Sequence, residues 1–264
     1  MVTVDHLNRT IDITNPIKRI VSLVPSQTEL LADLKLNDEV VGITNFCIYP
    51  SDWFKNKNRV GGTKNFNINK IRALKPDLII ANKEENSKPK LEILMKDYPV
   101  WISDIRDLNS ALDMIDNVGK IVQRESTATI IKNNIKKSFN NNINAIKSVK
   151  KVAYLIWNNP LMTINKDTFI HEMLSLNGWE NCFASHSSRY PEITMNNLKE
   201  AAPDLIFLSS EPFPFSSKHL NQFNKDIPSV KTVLVNGEYF SWYGSKLMKS
   251  PAYFKQLKRK LFLD

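Results

Sequence analysis

The chain alternates short apolar runs with longer amphipathic stretches. Residues 18–24 place a basic pair before a mostly apolar run, and residues 150–156 repeat that arrangement. Apolar runs of this length are typical of buried strands, whereas apolar positions that recur at i, i+3 and i+4 predict helices. Because strand and helix patterns alternate along the chain, we expect an α/β fold with mostly parallel sheets.

An internal repeat extends this pattern. Residues 28–37 match residues 168–177 at an offset of 140 (168 minus 28), and residues 71–81 match residues 198–208 at an offset of 127 (198 minus 71). In the second pair a helical pattern stops before Pro-Asp and an apolar strand pattern follows at once. The repeat therefore predicts two similar lobes.

The first repeated pair also predicts where two helices begin and end. Each copy opens with threonine, at Thr28 and Thr168, and each closes with asparagine, at Asn37 and Asn177. A threonine side chain accepts a hydrogen bond from the free amides of a first helical turn, and asparagine tolerates the left-handed conformation that ends a helix. We expect the threonines to be N-caps and the asparagines to be the terminating residues.

Helical periodicity fills the stretch between the two copies. Residues 108–148 carry apolar positions at helical spacing, with a polar break at 123–126. A single helix over 126–147 would be about 33 Å long at 1.5 Å per residue. We therefore predict an N-terminal lobe over 1–107, connecting helices over 108–148 and a C-terminal lobe over 149–264.

Composition and charge narrow the class of protein. The 264 residues include 36 Lys and Arg against 27 Asp and Glu, a net charge of +9, but these are spread along the chain and interleaved with Asn and Glu. We interpret the basic runs as solvated helix faces and expect no nucleic-acid partner. The amino terminus lacks the basic, apolar and small-residue regions of a secretory signal, which predicts a cytoplasmic protein as the chain stands.

Motifs for catalysis and for metal binding are scarce. The sequence has no Gly-rich phosphate loop, no Gly-x-Ser-x-Gly elbow and no HExxH, so we predict no catalytic residues and no enzyme activity. Its four histidines and two cysteines lack ligand spacing, which argues against a metal site and against a disulfide framework.

The candidate ligand contacts lie in loops that follow predicted strands, because ligands of open α/β sheets bind outside the carboxyl ends of the strands. Aromatic residues concentrate in the second lobe, where they form either a wall for a bulky ligand or packing for the loops. Glu84 and Glu85 either bind a ligand amide or a cation or pair with nearby lysines, and Cys47 is either a ligand of a soft metal or a small buried residue. The full set is Pro25, Ser26, Gln27, Phe46, Cys47, Glu84, Glu85, Trp157, Glu211, Phe213, Phe215, Trp242 and Tyr243.

Five segments resemble the helical-backbone substrate-binding proteins of ABC importers for cobalamin, iron-siderophores and haem. They are residues 5–10, 19–23, 25–30, 60–64 and 73–81, and together they are most similar to the cobalamin-binding branch. The resemblance implies two α/β lobes joined by a long helix, with a small ligand held in the cleft between the lobes.

The sequence departs from this family at two positions. The resemblance implies an acidic residue on each lobe that contacts arginines of a membrane permease. The matching positions here are Asn69 and Asn196, and residues 61–76 contain no Asp or Glu. We therefore expect docking on a permease to be weakened.

Three functional hypotheses follow. The leading one is a monomeric binding protein for a cobalamin-like corrinoid of the ABC-transporter type, and its variant binds a ferric siderophore or haem. In both, the tetrapyrrole or iron chelate is a ligand and not a permanently bound cofactor, and the resemblance implies a periplasmic location. The alternative is a cytosolic metallocofactor-handling protein or enzyme on the same scaffold.

Overall fold

The computed structural model describes residues 1–14, 16–143 and 149–262. The chain divides into two compact units, each assembled from three segments. Unit 1 comprises Met1–Ile105, Asn109–Ile135 and Tyr243–Met248, and unit 2 comprises Arg106–Leu108, Lys136–Trp242 and Lys249–Asp264.

Unit 1 contains a parallel sheet of five strands in the order β5-β4-β3-β6-β7, preceded by the antiparallel hairpin β1-β2. The strands are β1 (Val2–Val4), β2 (Thr10–Asp12), β3 (Ile20–Ser22), β4 (Val40–Ile43), β5 (Asn58–Arg59), β6 (Leu78–Asn82) and β7 (Val100–Ser103). The helices are α1 (Pro25–Asp33), α2 (Ser51–Asn56), α3 (Ile68–Ala73), α4 (Lys88–Leu94), α5 (Leu108–Ile121) and α6 (Glu125–Ile143), and α6 continues into unit 2.

Unit 2 contains a parallel sheet of four strands in the order β11-β8-β12-β13 and a short antiparallel hairpin, β9-β10. The strands are β8 (Lys150–Leu155), β9 (Trp157–Asn158), β10 (Leu161–Met162), β11 (Trp179–Asn181), β12 (Leu205–Ser209) and β13 (Lys231–Val235). The helices are α7 (Phe169–Ser175), α8 (Met195–Glu200), α9 (Ser217–Asp226), α10 (Glu238–Ser241) and α11 (Ser250–Phe262). The predicted α/β class with mostly parallel sheets is confirmed.

The central strands of both sheets are buried, because β3 and β6 in unit 1 and β12 in unit 2 are mostly apolar along their length. In unit 1, Val21, Ile79 and Ile102 of the central strands pack into one cluster with Ile71 of α3 and Leu91 of α4, all at most 3% exposed. Continuous apolar strands of this kind are typical of parallel sheets covered on both faces. Within the described residues, the helices are too short or too polar to cross a membrane.

The predicted N-cap is correct at one of the two threonines. Thr168 Oγ1 accepts a hydrogen bond from the backbone N–H of His171 at 3.2 Å and so caps α7. Thr28 is not a cap, because α1 already begins at Pro25, whose fixed backbone angle suits the first helical turn. The Thr28 hydroxyl instead donates to the carbonyl of Val24 at 2.9 Å inside the helix.

The predicted terminating residues are wrong in both copies. The left-handed residues lie elsewhere, at Lys35 (φ 64°) and Gly178 (φ 72°). Asn37 and Asn177 use their side chains instead. Asn37 Oδ1 accepts from the indole N–H of Trp53 at 3.0 Å, and Asn177 Nδ2 donates to the carbonyl of Met173 at 2.8 Å. In both copies the asparagine side chain thus makes a hydrogen bond, and another residue adopts the left-handed backbone conformation that was predicted for the asparagine.

The connecting region contains two helices separated by the predicted polar break. Gln123 adopts a left-handed conformation (φ 56°) between α5 and α6, and the two helices pack so closely that a Cβ atom on Gly119 would lie 2.4 Å from that of Ala128. Helix α6 begins at Glu125 and is described to Ile143, which makes it about 28 Å long. The predicted helix extended to 147, and positions 144–147 lie outside the described residues.

Glu172 on α7 gives a pH-dependent prediction for the stability of unit 2. Burial, with a smaller contribution from Asp107, raises the pKa of this carboxyl above its ordinary value. A carboxyl with a raised pKa favours folding while it is protonated, and this contribution is lost as the pH rises through the folded-state pKa. Glu172→Gln should therefore raise the melting temperature at pH 7, with a smaller gain at pH 4. The exposed Glu180→Gln is the control for a general charge effect, and equal gains in both variants would contradict the assignment.

Candidate functional site

Small polar residues end three neighbouring strands of unit 1. Ser22, Asn82 and Ser103 stand at the carboxyl ends of β3, β6 and β7 and are at most 2% exposed. Asn82 Nδ2 donates to Ser103 Oγ at 3.0 Å, and Ser22 Oγ lies within hydrogen-bond distance of Thr28 Oγ1 at 2.8 Å. Because buried polar groups are costly unless they are bonded, these contacts fix the strand ends in one arrangement.

This polar layer positions the two predicted glutamates. The backbone N–H groups of Glu84 and Glu85 both donate to Asn82 Oδ1, at 2.8 and 3.0 Å, which folds the chain into a tight turn after β6. Asn86 closes the turn, since its Oδ1 accepts from the Asn82 amide at 2.8 Å and its Nδ2 donates to the Leu23 carbonyl at 3.1 Å. The half-buried glutamates are thus held at the carboxyl end of the sheet.

Tyr243 and Glu85 were both predicted to contact ligand, and the structure brings them together. The phenol of Tyr243 donates to Glu85 Oε1 at 2.6 Å. Tyr243 is 6% exposed, and burial, followed by the charge of Glu85, raises its pKa well above the ordinary value. The phenol therefore keeps its proton, and the pair is a stable donor-acceptor contact within unit 1.

The next residues fasten the same segment to α1. A Cβ atom on Gly244 would lie 2.5 Å from the carbonyl oxygen of Ser26, so only glycine permits this approach. Lys246 follows, with Nζ 3.6 Å from Glu29 Oε2 and 4.3 Å from the ring centroid of Tyr49. Lys246 was not among the predicted site residues. Its position in a run of polar and aromatic residues after β13 is the only feature of the sequence that indicates a role.

Three predicted loop residues lie in a helix instead. The first turn of α1 consists of Pro25, Ser26 and Gln27. All three are buried, and Ser26 and Gln27 are at most 2% exposed. Gln27 Nε2 donates to Ser103 Oγ, which joins α1 to the buried polar layer. Pro25, which was predicted in a loop, instead begins helix α1.

Cys47 and Phe46 are neighbours with opposite environments. Cys47 is fully buried, and its sulfur lies 3.1 Å from the hydroxyls of both Thr28 and Thr44. Burial raises the pKa of the thiol, so it stays protonated and neutral. Phe46 is 59% exposed and its ring lies beside Gly62, so this aromatic side chain is accessible to a ligand.

In unit 2, the predicted aromatic residues divide into accessible and packed groups. Trp157 is 39% exposed, and its ring packs edge-on against Phe213 with 5.6 Å between centroids. Phe213 in turn packs against Phe215 at 4.8 Å, and Phe215 is only 7% exposed. Trp157 was predicted in a loop but lies in strand β9, since the chain forms a hairpin directly after β8.

Glu211 forms hydrogen bonds with two side chains of the segment that follows β13. Its Oε1 accepts hydrogen bonds from the indole N–H of Trp242 at 3.0 Å and from the hydroxyl of Ser241. Trp242 is 7% exposed and so belongs to the packed group. Glu211 follows β12 as Glu85 follows β6, so each unit uses one glutamate after the matching strand to bind an aromatic side chain of the 242–243 segment.

The remaining titratable groups of the described residues form no cluster of potential metal ligands. Among the residues that the structure describes, no group of three or more His, Cys, Asp or Glu side chains is placed to hold a metal ion. His171 is half-buried on α7, and burial lowers its pKa, which favours the neutral ring. The polar layer of Ser22, Asn82 and Ser103 was also missed, although a small polar residue after an apolar strand is a visible signal.

Each of the two α/β units has an anchored glutamate in the loop after a parallel strand and an accessible aromatic side chain, an arrangement typical of small-ligand-binding proteins. The sequence matches the periplasmic binding protein family over residues 20–231, and the chain belongs to that family.

Individual relatives agree with this assignment. The chain is 27% identical over 224 residues to a vitamin B12-binding protein of Vibrio vulnificus, covering 82% of this chain and 80% of the relative. It is 30% identical over 216 residues to an uncharacterized ABC transporter substrate-binding lipoprotein of Bacillus subtilis, covering 78% and 68%. The fold is similar to that of a periplasmic haem-binding protein from Roseiflexus, with a TM-score of 0.79, 17% identity and coverage of 90% of this chain and 98% of that chain.

Proposed function

We propose that this protein is the ligand-binding component of an ABC-type importer and that its ligand is a cobalamin-like corrinoid. The family match and the ABC-transporter relatives support the coarser class, a substrate-binding protein for a small molecule. The observation that carries the ligand class is the exposure of Phe46 and Trp157 beside the carboxyl ends of the parallel strands. The name of the Vibrio vulnificus relative supports a corrinoid in particular.

The proposed contacts are the accessible members of the predicted set. Phe46, Trp157 and Phe213 offer aromatic faces that suit a flat, bulky and partly apolar ring system. Glu84 offers a carboxylate that accepts hydrogen bonds from amide groups of the kind that surround a corrin ring. The buried members of the set hold these surfaces in place and do not themselves present a contact face. They include Gln27, Cys47, Phe215, Trp242 and Tyr243.

The compartment and the membrane partner are also part of this proposal. The Bacillus subtilis relative is named as a lipoprotein and the Roseiflexus structure as a periplasmic protein, and the predicted cytoplasmic location finds no support among these names. We therefore place the protein on the outer face of the cytoplasmic membrane, with a cognate ABC permease as its partner. The ligand is cargo that the protein releases and is not a permanent cofactor.

Isothermal titration of the purified protein tests the ligand. Cyanocobalamin, cobinamide, haemin and a ferric hydroxamate siderophore are titrated separately under the same buffer conditions. We expect the corrinoids to bind with a dissociation constant in the micromolar range or below, and haemin and the siderophore to bind at least tenfold more weakly. Tighter binding of haemin would replace the corrinoid by haem, and no binding of any ligand would overturn the proposed function.

Loss of one accessible aromatic ring should weaken ligand binding strongly. Trp157→Ala and Phe46→Ala each remove an aromatic contact of a kind that contributes about 1–3 kcal/mol at interfaces, so we expect about a tenfold or larger rise in the dissociation constant. Ile130→Ala is the matched control, since Ile130 is 60% exposed on α6 and lies far from the strand ends in sequence. A loss in the control as large as that in the aromatic variants would contradict the proposed contacts.

A further inference from the structure

A groove on the surface of unit 1 has a lining that includes none of the proposed ligand contacts. It is formed by α3, α4 and the segment that precedes α3, and it has a volume of about 540 Å³. Its two charged lining residues, Arg72 and Lys90, are both cationic, and Ile93 supplies an exposed apolar surface. We propose that this groove binds an acidic segment of a partner protein.

The two cations are held in fixed positions. Lys90 Nζ donates to the carbonyl of Phe66 at 3.0 Å and lies 5.5 Å from the centroid of the Phe66 ring. An ammonium group has three donors, and this contact uses one of them. Arg72 donates from Nε and Nη2 to a single oxygen of Asp97, at 3.0 and 2.7 Å, which orients the guanidinium. Groups positioned in advance lose less conformational entropy when a partner binds.

The surrounding chain has the same charge sign. Residues 61–76 contain four cationic side chains, Lys64, Lys70, Arg72 and Lys75, and no Asp or Glu. Two acidic residues lie on or after α4, and each is paired with a cation: Asp97 with Arg72, and Glu92 with Lys88. A mainly cationic surface attracts an acidic partner and repels a basic one, and it raises the rate of association with the acidic partner at low salt.

The remaining lining favours a peptide segment over a small anion. Ile68 is partly buried and Ile93 is 40% exposed, and both offer apolar area that an inorganic anion would leave unused. Asn65 and Asn69 are exposed along the groove and carry amide donors that suit carboxylates. The combination matches a segment that alternates acidic with apolar residues. An arginine-rich contact at Asn69 would instead be repelled.

A labelled peptide tests the groove directly. The probe is a fluorescein-labelled peptide of alternating glutamate and leucine residues, and binding to the full chain is followed by fluorescence anisotropy at 50 and 300 mM NaCl. We expect binding that weakens with salt, with about a fivefold loss of affinity in Lys90→Gln and in Arg72→Gln. Lys120→Gln, an exposed lysine on α5 of the same unit, is the matched control and should change affinity less than twofold.

Four outcomes would overturn the proposal. These are no binding at low salt, an equal loss in the Lys120 control, competition by millimolar inorganic phosphate, or equal Lys90-dependent binding to anionic phosphatidylglycerol vesicles. Corrinoid titration of the same Lys90→Gln protein separates this site from the proposed function. We expect corrinoid affinity to stay unchanged while peptide affinity falls, so either activity is able to fail without the other.

Discussion

Replacing Asp5 with alanine is expected to lower the free energy of unfolding by about 3 kcal/mol, because it leaves the Arg9 guanidinium and buried backbone N–H groups without their acceptor. The Asp5 side chain is fully buried. Its Oδ1 accepts from the backbone N–H groups of Leu7 and Arg9, both at 3.0 Å, and its Oδ2 accepts from the Arg9 guanidinium and from the Ile102 amide. Alanine leaves all of these donors without that acceptor, including a buried amide on β7.

Urea denaturation followed by circular dichroism measures this loss. Asp12→Ala is the control, because Asp12 lies on the same N-terminal hairpin but is exposed, and we expect it to change stability by less than about 0.5 kcal/mol. A loss below about 1 kcal/mol in Asp5→Ala would show that the carboxylate is not the anchor of the hairpin. Equal losses in the two variants would point instead to the hairpin's net charge.

The repeat predicted the main repeated strands and helices, but neither their ends nor the short hairpins β1-β2 and β9-β10. Apolar runs such as 78–82 and 205–209 specify buried strands through burial alone, and the structure contains both. Helix ends depend on single side chains, and Asn37 shows why these were missed. Its side chain bonds to Trp53, which is 16 residues away, so a local preference for ending a helix was overridden by a contact that the local sequence does not encode.

The candidate site was predicted in composition but not in geometry. Glu85 and Tyr243 were each chosen because they follow a strand, yet their hydrogen bond joins residues 158 positions apart. Similarly, Phe213 and Phe215 are two residues apart in one loop, and only the second is nearly buried. Sequence identified which loops carry aromatic and acidic side chains, whereas the division into accessible and packed residues depends on tertiary packing.

Gly244→Ala is expected to displace the 243–248 segment from α1 and to destabilise unit 1. The new Cβ would lie 2.5 Å from the carbonyl oxygen of Ser26, a backbone atom in the first turn of a helix that cannot give way as a side chain does. Overpacking of this kind costs about 1–3 kcal/mol. Because Tyr243 is the adjacent residue, its 2.6 Å bond to Glu85 should lengthen or break as the segment moves.

Hydrogen exchange and urea denaturation together test this displacement. In Gly244→Ala we expect faster exchange at Leu247, whose amide donates to the Gly244 carbonyl at 3.1 Å, together with the loss of stability. Tyr243→Phe removes the phenol hydroxyl and with it the bond to Glu85 but adds no atom near α1, so it should lower stability while leaving exchange at Leu247 nearly unchanged. Gly62→Ala is the steric control, since its nearest neighbour would be 3.4 Å away and alanine fits. Normal exchange in Gly244→Ala would mean that α1 yields instead, and the segment would then not depend on glycine for its position.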